Sequence, residues 1–166
     1  MKAIVYTSNT GFTAQYARIL SEKTGLPAMT LEDARNNLPK GTPIVYMGWL
    51  FVGSVKDYRR AAKHFTVKAV CGVGLCDTGS LLPELRKSMK LPDAVPVFTF
   101  QSGMNHDKLT GIYQHMIQVL VKVLSQKKRT EDEDKMLALI KAGGSHVSES
   151  YTEYFMNWYK NENTTV

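Results

Sequence analysis

A chain of 166 residues with 43% hydrophobic and 22% charged positions is expected to be one globular domain whose core needs no disulfide or metal support. It has no run of 18 apolar residues, which excludes a membrane-crossing helix, and its two cysteines, Cys71 and Cys76, are too few for a disulfide framework or a four-ligand zinc site. Only four apolar residues follow one another near the start, too few for a secretory leader, so a cytoplasmic location is the expectation. The formal net charge of +6 is localised: five Lys or Arg and no acidic residue lie between Lys108 and Thr130. Such a stretch suits nucleic acid, anionic lipid, an acidic partner or plain solvent, and charge alone does not choose.

In chain order, Ala3 to Tyr6 is an apolar run that empties into T-S-N-T-G, the pattern of a buried strand and its loop. Helical spacing begins at Thr13 and is ended by Gly25 and Pro27. Ala28 to Leu31 is a weakly marked second strand, and Pro43 to Met47 a third, followed by the unusually apolar loop G-W-L-F-V-G-S. A helix is expected over Val55 to Phe65, a strand over Val67 to Val73, a helix over Ser80 to Met89 and a strand over Val95 to Phe100. Strands that are apolar throughout, alternating with helices, predict right-handed crossovers and a parallel sheet covered on both faces. Beyond it come a long helix from Lys108 to Ser125 with an over-wide apolar face, the basic Q-K-K-R, an acidic E-D-E-D run, and a short helix over Lys135 to Lys141. A brief strand at His146 to Ser148 and a last helix over Ser150 to Lys160 complete the reading.

The first loop carries the most chemistry. Thr7, Ser8, Asn9, Thr10, Gly11, Phe12 and Thr13 join strand one to helix one at the carboxyl edge, where open α/β sheets bind ligands. Hydroxyls, an amide and the free N–H groups of a helix start suit a phosphate dianion. The loop has no Lys or Arg, so it is neither a Walker A loop nor the G-x-G-x-x-G dinucleotide fingerprint. A helix cap rich in Ser and Thr is the plainer reading of the same residues. His64, His106, His115 and His146 have no metal-ligand spacing, and no paired carboxylates or Ser/His/Asp order marks a catalytic group.

The pattern [ST]-x-T-G-x-T directly after strand one, matched by Ser8, Thr10, Gly11 and Thr13, resembles the phosphate loop of flavodoxin-like FMN-binding proteins. The loop G-W-L-F-V-G-S-V-K-D-Y, the basic charge and the late helical block are most similar to the branch containing bacterial protoporphyrinogen IX dehydrogenase. The resemblance implies a flavodoxin-like doubly wound α/β fold, a five-stranded parallel sheet in the order 2-1-3-4-5. It makes residues 1–166 one such domain, with a helical insertion at 107–144 and the final helix at 150–160. It implies FMN as cofactor, its ring walled by Gly48, Trp49, Leu50, Phe51, Val52 and Gly53 after strand three. Gly74, Leu75, Cys76 and Asp77 after strand four form the second wall, and the 101–106 loop is a third candidate. Trp49 or Phe51 either stacks on the ring or folds back into the core.

On this reading the protein is an electron carrier that exchanges electrons with a redox partner protein, with no catalytic side chain, no metal and no nucleic acid. The alternative is an FMN-dependent dehydrogenase or reductase of a porphyrinogen, quinone or similar conjugated substrate. A binding module that kept the fold and lost the flavin is a third. Membrane-surface contact through 108–129, at the inner membrane face, extends the expectation of a cytoplasmic protein.

Overall fold

The structure, a computed structural model, describes residues 1–164, so the last two residues of the expected 1–166 domain lie outside it. Four apolar segments and the short A-M-T form its parallel strands: β1 (Ala3–Thr7), β2 (Ala28–Thr30), β3 (Pro43–Phe51), β5 (Thr66–Gly74) and β6 (Val97–Gln101). All pair in parallel, in the order β2-β1-β3-β5-β6, and the two-residue β4 (Ser54–Val55) pairs antiparallel with the end of β3. Counted without β4, the five parallel strands stand in the expected order; β4 is a sixth strand that the sequence reading lacks. This is a doubly wound α/β sheet consistent with the flavodoxin-like fold.

Helices cover both faces because alternate strand residues are buried on opposite sides. Ile4, Val45, Met47, Cys71 and Phe100 meet Tyr16 and Leu20 of α1 (Phe12–Thr24) and Phe155 of α7 (Glu153–Thr164) on one face. Val5, Ile44, Tyr46 and Val70 meet α2 (Leu31–Asn37), α3 (Tyr58–Ala62) and α4 (Leu82–Met89) on the other. Between β6 and α7 stand α5 (Gly111–Gln126) and α6 (Glu131–Ala142), the expected helical block.

Several boundaries differ from the sequence reading, each for a local reason. Leu31 begins α2 rather than ending β2, because Thr30 caps the helix by accepting from Asp33 N at 3.1 Å. The 48–54 segment is not a loop: β3 runs on to Phe51 and turns through Val52 and Gly53 into β4, which leaves α3 only five residues. Asn105 holds a 3-10 turn at His106–Lys108 ahead of α5, so that helix starts at Gly111 instead of Lys108. α6 begins at Glu131 instead of Lys135, the acidic run forming the helix start that its charge suits, and its first turn is closed by a capping box between Thr130 and Glu133. No strand forms at 146–148; a single bridge between Met104 and Gly144 lies just before it.

Candidate functional site

Gly11 caps α1 with φ 98° and has no side chain to accept from the first N–H groups of that helix, those of Phe12 and Thr13. Ser8 Oγ reaches Ala14 N at 3.4 Å across the loop. Thr7 is already engaged: Tyr46 OH donates to Lys56 O at 2.7 Å and therefore accepts the Thr7 hydroxyl at 2.9 Å. Burial pushes the Tyr46 phenol up and keeps that donor protonated. Two depressions meet at Asn9: an apolar cleft of about 470 Å³ and a polar pocket of about 830 Å³. Asn9, Thr10, Phe12 and Thr13 line the cleft; Thr7, Ser8, Asn9 and Gly11 line the pocket.

The β3–β4 hairpin makes the second wall of the cleft. Its two turn residues, Val52 at φ 45° and Gly53 at φ 67°, are both left-handed, as two-residue hairpins require. A β-branched residue is strained there, and Val52 is also 79% exposed at the tip. Leu50 lies over β5, where a Cβ on Gly72 or Gly74 would stand 2.5 or 2.9 Å from its side chain. Gly48 is buried away from the cleft, and a Cβ there would meet Lys56 O at 2.6 Å. Its lack of a side chain therefore serves the fold-back of the hairpin.

Trp49 and Phe51, two apart on one face of β3, are half-buried and face a residue the sequence reading did not single out. Tyr113 of α5 stands edge-on to both, with ring centroids 5.0 and 6.0 Å away. Lys56 Nζ lies 6.0 and 5.8 Å from the Trp49 and Phe51 centroids. With Met116, Ile117 and Leu120 of α5 and Met136 of α6, Tyr113 roofs the cleft. The signal for this was the over-wide apolar face of the helix, which splits in space: Leu124 is buried, whereas Ile112, Val119 and Val123 point outward and are exposed.

Gly74, Leu75 and Cys76 line the third wall. Asp77 does not: its carboxylate takes Gln101 Nε2 at 3.1 Å and faces Lys135 Nζ at 3.9 Å. Burial raises the Cys76 thiol, with the Asp77 charge adding to it, so Cys76 presents a neutral S–H to the cleft. Ser102, Gly103 and Met104 contribute from the loop after β6, while the Gln101 side chain turns to Asp77 and Tyr151.

The basic end of α5 is partly neutralised. Lys127 pairs with Glu133 at 2.5 Å, and Arg129 pairs with Asp134 while donating to Leu124 O at 2.8 Å. These cations hold α5 to the acidic first turn of α6. No helix among the described residues is long and apolar enough to cross a membrane. No protein-family model matches the chain, and no curated protein matches it.

The arrangement is a cleft at the carboxyl edge of β1, β3 and β5, with a donor-rich helix start at one end and a slot lined by aromatic and aliphatic side chains at the other. Chemically it suits a ligand with one anionic group and one planar apolar group.

Proposed function

We propose that the protein binds FMN in the roofed cleft and passes electrons to or from a partner oxidoreductase. The observation that carries this reading is the junction of the Gly11-capped α1 start with the aromatic slot in one continuous cleft. The N–H groups after Gly11 and the hydroxyls of Thr10 and Thr13 would hold the phosphate. Trp49, Phe51 and Leu50 would bound one side of the ring, and Gly74 to Cys76 would offer backbone donors to its polar edge. The bound FMN supplies one- and two-electron chemistry. The chain's own part is to orient it and exclude water, which the Tyr113 roof supports. Cys76, held as a thiol, is not a nucleophile here. Exposed Val52 and Leu81 at the cleft mouth give a partner protein an apolar contact. Two unpaired cysteines fit a reducing, cytoplasmic setting.

A second reading, an FMN-dependent dehydrogenase or reductase of a conjugated substrate, draws on the roof itself. Met116, Leu120 and Met136 extend the apolar lining beyond the hairpin, enclosing space in which a second flat molecule would be shielded. Steady turnover of a soluble conjugated substrate without any partner would favour this reading over the carrier.

The test is a titration with FMN followed by quenching of flavin fluorescence. We expect tight binding of FMN and weaker binding of riboflavin, which lacks the phosphate. Thr10→Ala with Thr13→Ala removes two charge-assisted hydrogen bonds of about 1.5–3 kcal/mol each, so affinity should fall at least tenfold. A protein that neither is yellow nor binds FMN, or a double variant that binds it unchanged, would overturn the reading.

A further inference from the structure

The polar pocket of about 830 Å³ on the other side of the first loop shares Thr7, Ser8, Asn9 and Gly11 as its wall, but holds none of the groups assigned above to the flavin, those of Thr10, Thr13 and the aromatic slot. It opens at the carboxyl ends of β1 and β2, between the loop, the start of α2 and the residues around α3. Four cationic or cationisable side chains line it from three directions: Arg35 of α2, Arg60 and His64 from the α3 segment, and Lys108 from the turn before α5. Arg35 and Lys108 form no ion pair among the described residues, whereas Arg60 shares Asp57 at 3.4 Å. Lys108 Nζ stands 3.7 Å from the point where a Cβ on Gly11 would lie, so it overhangs the loop that has no cation of its own.

Arg35 and Lys108, unpaired cations that different elements bring to one pocket, would both be neutralised by an anion bound there, while Asp57, which also lines it, is taken up by Arg60. The pocket is not purely basic. Glu32, one residue into α2 and without an ion pair among the described residues, lies just past the end of β2 with Asn36 one turn on. A carboxylate at this edge of the sheet is an acceptor for vicinal hydroxyls such as those of a ribose, the use made of one in dinucleotide-binding doubly wound sheets, although this chain lacks their glycine fingerprint. Half-buried Tyr6 adds an aromatic surface. The volume lies within the range that holds small organic ligands.

We propose that this pocket binds a nucleoside phosphate, its phosphate between Arg35 and Lys108 and its ribose hydroxyls on Glu32. The site is separate from the cleft, meeting it only at Asn9.

Calorimetric titration of the protein, as purified and after saturation with FMN, with AMP, adenosine and inorganic phosphate tests the proposal. AMP should bind in both states, and adenosine or phosphate alone at least tenfold more weakly. Arg35→Gln, at an exposed helix position, should weaken AMP at least tenfold and leave both the melting curve and FMN affinity unchanged. Glu32→Gln should weaken AMP while leaving the affinity for phosphate as it was. Absence of AMP binding, AMP affinity indifferent to Arg35→Gln, or phosphate binding as tightly as AMP would each overturn it. So would AMP that binds only when FMN is absent, because it would then be using the flavin's seat. AMP binding without FMN binding would sink the flavin reading and leave this one standing, and the reverse result would do the opposite.

Discussion

A methyl group added at Gly103 would overlap the Gly144 carbonyl oxygen and stand 2.8 Å from its carbon, where Met104 and Gly144 exchange backbone hydrogen bonds of 3.0 and 2.9 Å. The loop after β6 is joined there to the end of α6, and only backbone movement makes room. Gly48 is similarly placed, with Lys56 O at 2.6 Å, whereas the clash at Gly72 is with the Leu50 side chain, which can turn away. Gly103→Ala and Gly48→Ala should each cost about 1–3 kcal/mol in urea unfolding, as overpacking does, and Gly72→Ala less. A Gly103→Ala protein as stable as the parent would show that the close approach is not held in solution.

The nearer of the two aromatic contacts that tie the roof to the hairpin joins elements far apart in the chain. Tyr113 of α5 meets Trp49 of β3 at 5.0 Å and 89°, an edge-to-face geometry worth about 0.5–1.5 kcal/mol beyond buried area. A double-mutant cycle on Trp49→Ala and Tyr113→Ala should return a coupling in that range. Amide exchange over α5 should quicken in Tyr113→Ala, because Leu124 alone among the residues of that helix is fully packed. A coupling near zero would mean that the roof does not rest on the hairpin. The long strands and α1 are legible in sequence because their burial leaves a local pattern: continuous apolar runs, then a 3.6-residue period stopped by Gly25. The hairpin was not legible, since Gly48 to Phe51 is as apolar as a greasy loop and becomes strand only by pairing, Gly48 with β1 and β5, Trp49 with β5, and Leu50 and Phe51 with the two residues of β4.

For the molecule as a whole, several acidic groups are buried and neutral. Burial raises the Tyr16 phenol from 10.0 to about 12, raises Tyr46 and Tyr58 above the same ordinary value, and raises the Cys71 thiol above 9.0. On unfolding these groups return to their ordinary values, so above about pH 9 the unfolded chain releases protons that the folded chain keeps. Deprotonation then favours the unfolded state. Stability should be flat with pH up to about 9 and fall as pH rises from there through the Tyr16 value near 12. Tyr16→Phe should flatten part of that decline, at the cost of the hydrogen bonds Tyr16 makes to Gln101 O at 2.5 Å and Ser148 N at 3.3 Å. Unfolding midpoints between pH 8 and 12 check this; a stability that rises with pH would contradict it. The net charge of +6 does not describe the α5 end, where Lys127 and Arg129 are matched by the acidic turn of α6 and Lys128 is left without an ion pair among the described residues.

The long strands, their parallel pairing and the loop between β1 and α1 were legible in the amino-acid sequence alone, because each rests on contiguous residues or on the handedness of short crossovers, whereas the strand order came only from the resemblance to flavodoxin-like proteins. That Asn9, Thr10, Phe12 and Thr13 would reach one cleft with Trp49 to Gly53 and Gly74 to Cys76 follows from the carboxyl ends of neighbouring parallel strands lying on one edge. Tertiary structure alone decided the roof, the turning-away of Asp77, the engagement of Thr7 by Tyr46, and the polar pocket that draws on α2, α3 and Lys108. The physical reason is the same in each case. Periodicity records that a face is covered but carries no information about what covers it, and a polar side chain declares its partner only when distant segments of the chain are brought within hydrogen-bonding distance.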